Sequence, residues 1–481
     1  MPVASADAAS EIRVDRLPAY TRAETDLFHW AGRLLVAKGQ YITPHLLNAL
    51  SDVKITSLYS DPTHTVEPDR LQQMDTSSVV PGVPLPFSLY DRKGGCIARE
   101  GTRLSLEELD ALSLSGQKKV HYFKGGSGDQ AALFESRFAA CERARLDDEI
   151  NHGRTKLRPK SSGIPISRMV RRFTGHPRPK AVLSAFEAAY ERVVSDLADM
   201  WERLAQGQYL WNGDVTALVD DVIDRYMGEP EIMCALAAAD FDGPTYVEHC
   251  VATSVYCLAA LAGLAANRRQ ARDLVAAALF HDVGYVMIPQ PLLEAERVLS
   301  KGERRIIFRH IEHNLLLLNR IDYASEDFRI AVYQHHERGS GAGYPTGYRA
   351  DKIHLFASIL AAADILHALV SDRPHRKAYL RSEAVSRLLK MSAIGLVDRQ
   401  IVRLLVDALS VYPVGACVLL SNGETARVLA ASRDPLRPWV GAIFESDHSR
   451  IKNPRIRDLS KLPGISVRSE VLPFDEPLAG F

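Results

Sequence analysis

The sequence predicts a multidomain protein in which an all-α helical core follows a small α+β N-terminal domain and precedes a β-rich C-terminal extension. Apolar residues recur with helical spacing from residue 181 to about residue 410. A repeated motif lies before residue 150, and short alternating runs follow residue 410. A chain of 481 residues is also longer than one core usually accommodates, which predicts roughly two to four domains.

The N-terminal domain contains a short internal repeat. Residues 32–50 realign onto residues 94–112 at a constant offset of 62 positions. Each copy predicts a hairpin-like β segment that turns at a glycine and is followed by a helix. Thr43 is placed to cap the first helix, and Ser105 can form a capping box with Glu108 in the second. A duplicated motif is our interpretation, and chance similarity between two strand-turn-helix segments is the alternative.

The segment after this domain has the composition of a linker. Residues 151–180, NHGRTKLRPKSSGIPISRMVRRFTGHPRPK, contain nine Lys or Arg and no acid, and Pro, Gly and Ser interrupt any helical period. A basic linker is the interpretation, and a phosphate-binding or nucleic-acid patch is the alternative. The predicted order is therefore N-terminal domain, basic linker, helical domain and β-rich extension, at residues 1–150, 151–180, 181–410 and 411–481.

The helical domain and the extension differ in residue pattern. Segments such as AVLSAFEAAYERVVSDLADMWERL and VEHCVATSVYCLAALAGL carry apolar residues at helical spacing. After residue 413 the pattern changes to VGACVLLSNG, ETARVLAAS and WVGAIFES, which are short alternating or β-branched runs separated by Asn-Gly and Pro. The first pattern predicts helices and the second predicts strands.

Composition argues against several classes of protein. Basic and acidic residues balance at 59 each, which argues against binding of nucleic acid through bulk charge. The six cysteines are scattered without a CxxC pair, as expected of reduced thiols rather than of a disulfide framework or a zinc knuckle. The N-terminus lacks the features of a secretory signal, and the longest apolar stretch is too short for a comfortable membrane span. We therefore expect a cytoplasmic protein without a membrane span.

Histidines and aspartates of the helical domain suggest a metal site. The pairs His281-Asp282 and His335-His336 each follow an apolar helix, so their side chains are expected at the rim of a core. His249 lies inside an apolar helix, and Asp364 lies inside the apolar run SILAAADIL. Burying an uncompensated carboxylate is costly, and metal coordination compensates that cost. These residues offer enough nitrogen and oxygen donors for a dinuclear site.

Four blocks of the helical domain carry a resemblance to a known family. They are HDVGYVMIP, FRHIEH, HHERGSGAGYPTG and AAADILHALVSDRPHRKA, in that order. Their order and spacing resemble the HD-GYP family, a branch of the HD phosphohydrolases that hydrolyses the bacterial messenger cyclic di-GMP. The resemblance covers about residues 240 to 410 and implies an HD-type helical bundle.

The resemblance also implies a set of metal ligands. His281 and Asp282 match the catalytic HD pair, with Asp282 as the carboxylate that bridges two metals. His310 is favoured over His313, one turn further along, because of its spacing from the HD pair. The implied cofactors are two divalent ions, iron or manganese. A third metal is not expected because Thr245 stands where some members have a glutamate. The implied ligands are His249, His281, Asp282, His310, His335, His336 and Asp364.

Substrate contacts are implied by the same resemblance. Gly343 and Tyr344 lie in the signature loop, where glycine allows close approach to a ligand and tyrosine can contact a phosphate or a guanine. Arg373 and Arg376 match phosphate-clamping arginines, with a solvated basic edge as the alternative. Tyr285 stands where the family usually has a lysine that neutralises the scissile phosphate, so we assign it as a substrate contact without positive charge.

Three functions remain open from the sequence. The first is a metal-dependent cyclic di-GMP phosphodiesterase that yields the linear dinucleotide, GMP or both. The second, favoured by Tyr285 and by Ser340 in place of the family's aspartate, is a slow relative that binds cyclic di-GMP or a partner protein and signals by conformation. The third is a dinuclear hydrolase of another phosphoester. By position, the N-terminal domain resembles regulatory or dimerisation modules, which leaves a homodimer and signalling protein partners open.

Overall fold

The computed structural model divides the described part of the chain into two compact units. It describes residues 11–29, 34–60, 72–76, 119–122, 127–152, 178–238, 245–264, 266–323, 325–372, 376–409, 414–430 and 436–471, with short pieces of 79–112, 165–170 and 412–434. The first unit comprises Met1–Asp147, Glu202–Trp211 and Leu315–Asp322. The second comprises Asp148–Trp201, Asn212–Asn314 and Tyr323–Phe481, so the C-terminal extension clusters with the helical core.

The first unit contains two four-stranded antiparallel sheets. One has the strand order β1-β6-β3-β4 and the other β7-β10-β8-β9, and β2 pairs separately with β5. The elements are β1 (Glu11–Arg13), β2 (Thr21–Arg22), β3 (Leu27–Phe28), β4 (Leu34–Val36), β5 (Tyr41–Ile42), α1 (Pro44–Asp52), β6 (Ser57–Tyr59), β7 (Gln72–Asp75), β8 (Leu89–Tyr90), β9 (Cys96–Ala98), β10 (Lys119–Tyr122) and α2 (Ser127–Asn151).

The predicted helix caps of the repeat are present, but the hairpin predicted at Gly39 is not; the turn predicted for the second copy, at residues 99–103, lies outside the described part of the chain. The Thr43 side chain accepts from the Leu46 N–H at 3.1 Å, and Ser105 and Glu108 exchange both bonds of a capping box. The hairpin expectation at Gly39 is wrong, because β4 pairs with β3 whereas β5 pairs with β2. Gly39 does turn the chain, with φ +84°. The Gly39 N–H donates to the Ala23 carbonyl group, the Ala23 N–H donates to the Gln40 carbonyl group, and the Gln40 N–H closes the turn onto the Ala37 carbonyl group.

The core of the first unit joins strands to two helices. Buried Leu35 and Val36 of β4, Leu46 of α1 and Leu58 of β6 form one apolar cluster with Phe138 of α2. Burial of a side chain of this size stabilises the fold by about 1.5–3 kcal/mol. The cluster therefore ties α1 and α2 to the first sheet.

The second unit is a helical bundle followed by a sheet. The helices are α3 (Lys180–Ala205), α4 (Asn212–Gly228), α5 (Pro230–Leu236), α6 (Thr245–Ala262), α7 (Arg268–Phe280), α8 (Gln290–Leu293), α9 (Lys301–Phe308), α10 (His310–Leu318), α11 (Glu326–Gln334), α12 (Leu355–Val370), α13 (Arg381–Ala393) and α14 (Arg399–Leu409). Within the described residues, no helix is both long and apolar enough to cross a membrane.

The centre of the bundle is α7, which packs against α6 and α11, while α12 packs against α6 and α11. Every residue from Leu274 to Phe280 is fully buried. A capping box between Asn267 and Gln270 fixes the start of α7 by satisfying main-chain N–H groups that have no partner within the helix. The helical core predicted from apolar spacing is confirmed.

The C-terminal residues form a five-stranded antiparallel sheet of order β14-β13-β12-β11-β15. Its strands are β11 (Cys417–Leu420), β12 (Thr425–Ala430), β13 (Trp439–Phe444), β14 (Arg450–Asp458) and β15 (Val467–Val471). Val418, Val428 and Val440 are fully buried in its core, and Gly423 turns the chain between β11 and β12 with φ +88°. The predicted strand-containing extension is confirmed.

Candidate metal centre

The predicted ligands converge from five elements of the second unit. His281 and Asp282 follow the last residue of α7, and His335 and His336 follow the last residue of α11. His310 begins α10, His249 lies in the second turn of α6, and Asp364 lies in α12. Because α7 packs against α6 and α11, the carboxyl-terminal ends of α7 and α11 bring both pairs to the same place.

Donor atoms of the seven side chains form two groups. Asp282, His310, His335 and His336 form one group, and His249, His281 and Asp364 form the other, with donor atoms of each group within 4.8 Å of one another. Asp282 faces both. Its Oδ2 lies 3.3 Å from His281 Nε2, whereas its Oδ1 lies 3.5 Å from His310 Nε2 and 3.7 Å from His335 Nε2.

Main-chain carbonyl groups orient three of the imidazoles. The Nδ1 atoms of His281, His310 and His335 lie 2.7–2.8 Å from the carbonyl oxygen three residues earlier in each case. Since a carbonyl can only accept, each Nδ1 carries the proton and each Nε2 is an unprotonated donor for a cation. The Nε2 atoms of these histidines are buried without a hydrogen-bond partner, as are His336 Nε2 and Asp282 Oδ1.

Burial keeps the imidazoles of the site neutral. It lowers the pKa of His281 and of His310 to about 4 and holds the pKa of His336 well below its usual value. Burial alone would raise the pKa of Asp282, but the adjacent His281 and the nearby His310 outweigh it and lower the pKa. Neutral imidazoles and an ionised carboxylate are the states in which these side chains bind metals.

The residues present fit divalent metal ions. Several buried donor atoms without partners point at one another, which is costly unless a cation lies between them. Imidazole and carboxylate donors together suit first-row transition metals. Cys250 lies near the site, with Sγ 3.5 Å from His281 Nδ1, but that nitrogen already donates to the Ala278 carbonyl group.

Asn314 fixes the backbone of the HD pair. Its side-chain oxygen accepts from the Gly284 N–H at 2.6 Å, and its side-chain nitrogen donates to the His281 carbonyl group. A Cβ at Gly284 would overlap the His310 carbonyl oxygen and lie 2.8 Å from Asn314 Oδ1. The turn after α7 can therefore approach α10 this closely only with glycine at position 284.

Glu337 anchors the loop that carries GYP. It is 2% exposed, and its carboxylate accepts N–H bonds of 2.8–3.1 Å from Thr346, Gly347 and Tyr348. A Cβ at Gly343 would overlap the backbone of residues 336–338. The absence of a side chain at Gly343 thus serves close packing of the loop on its own chain.

Aromatic rings border the metal centre on two sides. Tyr285 lies against His310 with ring centroids 4.6 Å apart, and Tyr246 lies against Tyr285 at 4.9 Å. Tyr344 lies 4.6 Å from the His336 ring and stacks on Phe308 at 4.2 Å. Phe308 remains 42% exposed, so its ring is accessible from solution.

The remaining predicted residues lie outside the two donor groups. Arg376 donates to the main-chain carbonyl groups of Ala368, Leu369 and Lys377, so it caps the end of α12. Arg373 and the side chain of Thr245 lie outside the described part of the chain.

His313 and Ser340 also lie outside these groups. His313 Nδ1 is buried without a hydrogen-bond partner, and the Ser340 hydroxyl lies 3.4 Å from the Ala342 N–H within the loop. The structure therefore brings His310, and not His313, to the other ligands.

Several residues of the site carried no usable signal in the sequence. Asn314, Glu337 and His367 act by hydrogen bonds to residues 30, 9–11 and 118 positions away, and such partners are not visible in a local pattern. Glu337 directly follows the histidine pair, which was the nearest available hint. Phe308 is visible only as an apolar residue two positions before His310.

Comparison with known proteins identifies the helical core. An HD domain family model matches residues 236–401. A cyclic di-GMP phosphodiesterase of Pseudomonas aeruginosa is 29% identical over 265 residues, which cover 55% of this chain and 63% of that protein. Residues 236–401 are thus similar to HD domains. This matched segment includes all seven predicted ligands.

Two further similarities concern another curated protein and a solved structure. A 3′3′-cGAMP-specific phosphodiesterase of Vibrio cholerae is 32% identical over 206 residues, 41% of this chain and 38% of that protein. The structure of a HDG"Y"P protein from Bdellovibrio bacteriovorus is 15% identical, with a TM-score of 0.38, and covers 70% of this chain and 98% of that one. The chain spans less than two thirds of the length of each of these two curated relatives.

Proposed function

We propose that this chain is an HD-GYP protein and a metal-dependent phosphodiesterase that hydrolyses cyclic di-GMP to the linear dinucleotide, GMP or both. One observation carries the proposal: two groups of buried donor atoms share Asp282, and each of its carboxylate oxygens faces a different group. This arrangement suits two divalent ions, iron or manganese, held by His249, His281, Asp282, His310, His335, His336 and Asp364.

The chemistry divides between the ions and the side chains. When bound, such ions supply a water of lowered pKa and positive charge for an in-line displacement at phosphorus. The carbonyl groups behind His281, His310 and His335 hold each Nε2 in the ligating state. Burial among these groups keeps the site poor in water, so dipoles and charges act on the phosphodiester with little screening.

The proposed substrate contacts are aromatic rings beside the metal centre and two arginines. Burial raises the pKa of Tyr285, so its phenol stays protonated and can donate a hydrogen bond to a phosphate oxygen without adding charge. Tyr344 stacks on Phe308, and the 42% exposed Phe308 ring extends this aromatic contact surface for a guanine. Arg373 and Arg376 are the proposed phosphate contacts, although Arg376 already uses three of its five N–H donors on main-chain carbonyl groups.

A binding module is the second candidate function. The observation that favours it is Tyr285, which lies against His310 where a cationic side chain would stabilise the transition state. Such a protein would bind cyclic di-GMP or a partner protein and turn over slowly. A dinuclear hydrolase of another phosphoester, such as 3′3′-cGAMP, is the remaining alternative.

The proposal for the N-terminal residues is a regulatory or dimerisation role. The two four-stranded sheets support a duplication within these residues, because β3 and β8, β4 and β9, and β6 and β10 start 62 positions apart and occupy equivalent places in the strand order. We propose that they are a duplicated motif, separated from the HD-GYP segment by the basic linker at residues 151–180. We also propose that the protein acts in the cytoplasm.

One experiment separates the functions. The protein is loaded with iron(II) or manganese(II) without oxygen and incubated in parallel with cyclic di-GMP and 3′3′-cGAMP, and products are separated by chromatography. We expect cyclic di-GMP to be cleaved and the double variant His281→Ala, Asp282→Ala to lose both activity and metal. His313→Leu is the matched control and should keep both. Tight binding without products would select the binding module, and cleavage of 3′3′-cGAMP alone would overturn the proposed substrate.

A further inference from the structure

A buried chain of hydrogen bonds lies behind His249. Its Nδ1 is 2.6 Å from Nδ1 of His367, and Nε2 of His367 is 3.0 Å from the Ser371 hydroxyl oxygen. The other nitrogen of His249, Nε2, lies 3.1 Å from Asp364 Oδ1. Asp364 and His367 are on α12 and Ser371 caps its end, so positions 364, 367 and 371 lie on one face of that helix. One helix thus provides a metal ligand and the partner of a second ligand.

His249 has a side-chain partner, unlike three other histidines of the site, whose Nδ1 atoms donate to main-chain carbonyl groups. His281, His310 and His335 lie at helix ends, where nearby carbonyl groups are available to accept from Nδ1. His249 lies within α6, whose carbonyl groups accept from N–H groups of the same helix. The ring of His367, 6% exposed, lies within hydrogen-bond distance of His249 Nδ1.

The position of one hydrogen decides whether His249 can bind a metal. Only one hydrogen fits between two Nδ1 atoms 2.6 Å apart. If the shared hydrogen is bonded to His367 Nδ1, His249 carries its own hydrogen on Nε2. That nitrogen then donates to Asp364 and cannot bind a metal. If the shared hydrogen is bonded to His249 Nδ1, the Nε2 atom of His249 carries no hydrogen and can bind a metal. His367 then carries its hydrogen on its own Nε2, which donates to the Ser371 hydroxyl group. That hydroxyl can donate or accept, so it accommodates both arrangements.

We propose that His367 is a positioning residue of the metal centre. It accepts the Nδ1–H of His249, so that His249 Nε2 carries no hydrogen and faces the metal that His281 and Asp364 would also bind. Ser371 completes the chain. The inference rests on the proposed metal centre and not on the identity of the substrate. Partners of this kind typically change metal affinity by about 10–100-fold.

The test compares three variants by metal content. In His367→Leu the acceptor is lost, and we expect metal per chain to fall from two towards one, with affinity in chelator competition weakened by about 10–100-fold. In His367→Asn the amide oxygen can take the place of Nδ1, so affinity should largely recover. His313→Leu makes the same chemical change at a histidine outside the donor groups and should bind metal like the wild-type protein. Elemental analysis and circular dichroism give metal content and fold without an activity assay.

Each result of this test either supports or overturns the positioning role of His367. Wild-type affinity in His367→Leu, or equal affinity in the leucine and asparagine variants, would overturn the inference. Should the leucine variant fail to fold, His367→Ala is compared with His367→Asn in the same way. Metal affinity that depends on His367 in a protein that does not cleave cyclic di-GMP would support the inference and refute the proposed substrate. A wild-type protein that takes up no divalent metal would overturn both.

Discussion

Replacing Glu337 by glutamine should release the loop that carries Tyr344. The carboxylate accepts N–H bonds from Thr346 at 2.8 Å, from Gly347 at 3.1 Å and from Tyr348 at 3.0 Å. Glutamine has the same shape but offers one oxygen and one NH₂ group. With its oxygen towards Thr346, the NH₂ group faces the Tyr348 N–H, which is then buried without an acceptor.

The magnitude follows from the bonds that change. A hydrogen bond to a charged group contributes about 1.5–3 kcal/mol and a neutral one about 0.5–1.5 kcal/mol, so the bond from Thr346 weakens by about 1 kcal/mol. Leaving the Tyr348 N–H without an acceptor costs about 1–3 kcal/mol more. The total of about 2–4 kcal/mol corresponds to an increase in the open population of the loop of roughly 30-fold to 1,000-fold, at about 1.4 kcal/mol per tenfold change.

Amide hydrogen exchange measures this opening directly. In Glu337→Gln we expect faster exchange at residues 346–348 and unchanged exchange in the buried helix α7. Glu383→Gln is the matched control, because Glu383 forms an exposed pair with Arg387 on α13 that contributes little. Unchanged exchange at the three amides in Glu337→Gln would show that this carboxylate does not hold the loop.

Four further predictions concern the site and its surroundings. Tyr285→Lys should raise turnover of cyclic di-GMP at least about tenfold at unchanged metal content, because one donor to developing charge typically stabilises the transition state by about 2.7–4 kcal/mol. A variant that binds cyclic di-GMP as before without faster turnover would exclude a missing cation as the cause of slow hydrolysis. Gly284→Ala should destabilise the fold by about 1–3 kcal/mol in denaturant titrations, because the added Cβ overlaps the backbone of α10. In the control Gly302→Ala on α9, the added Cβ meets only Ser300 Oγ at 4.0 Å, so the change should be neutral or stabilising, and equal effects of the two substitutions would contradict the packing argument. Burial lowers the pKa of His313 to about 4, so as pH falls below 6.5 the unfolded chain is protonated first and the free energy of unfolding decreases towards pH 4. His313→Leu should reduce that decrease, and an unchanged dependence of the unfolding free energy on pH would contradict the prediction. Arg376→Ala should weaken cyclic di-GMP binding in calorimetry without loss of metal, and unaltered affinity would leave Arg376 only its helix cap.

The sequence determined the helical core and the identity of the candidate ligands. Apolar spacing predicted α6, α7 and α12, ionisable residues inside or directly after apolar helices suggested a metal site, and the resemblance to the HD-GYP family implied the ligand set of His281, Asp282 and five further side chains. The first two predictions were possible because helical periodicity is local and because ionisable residues inside apolar helices require compensation. Helix capping at Thr43 and Ser105 was predictable for the same reason, since a cap involves residues three positions apart.

Only the tertiary structure decided the contacts between residues distant in sequence. It placed Asp282 between two donor groups, gave Glu337 the amides of the GYP loop, and set His367 behind His249. It also replaced the expected hairpin at Gly39 by pairing with strands from elsewhere in the chain. A local pattern specifies the conformation of a segment, whereas hydrogen-bond partners depend on which segments pack together, and that is set by burial over the whole fold.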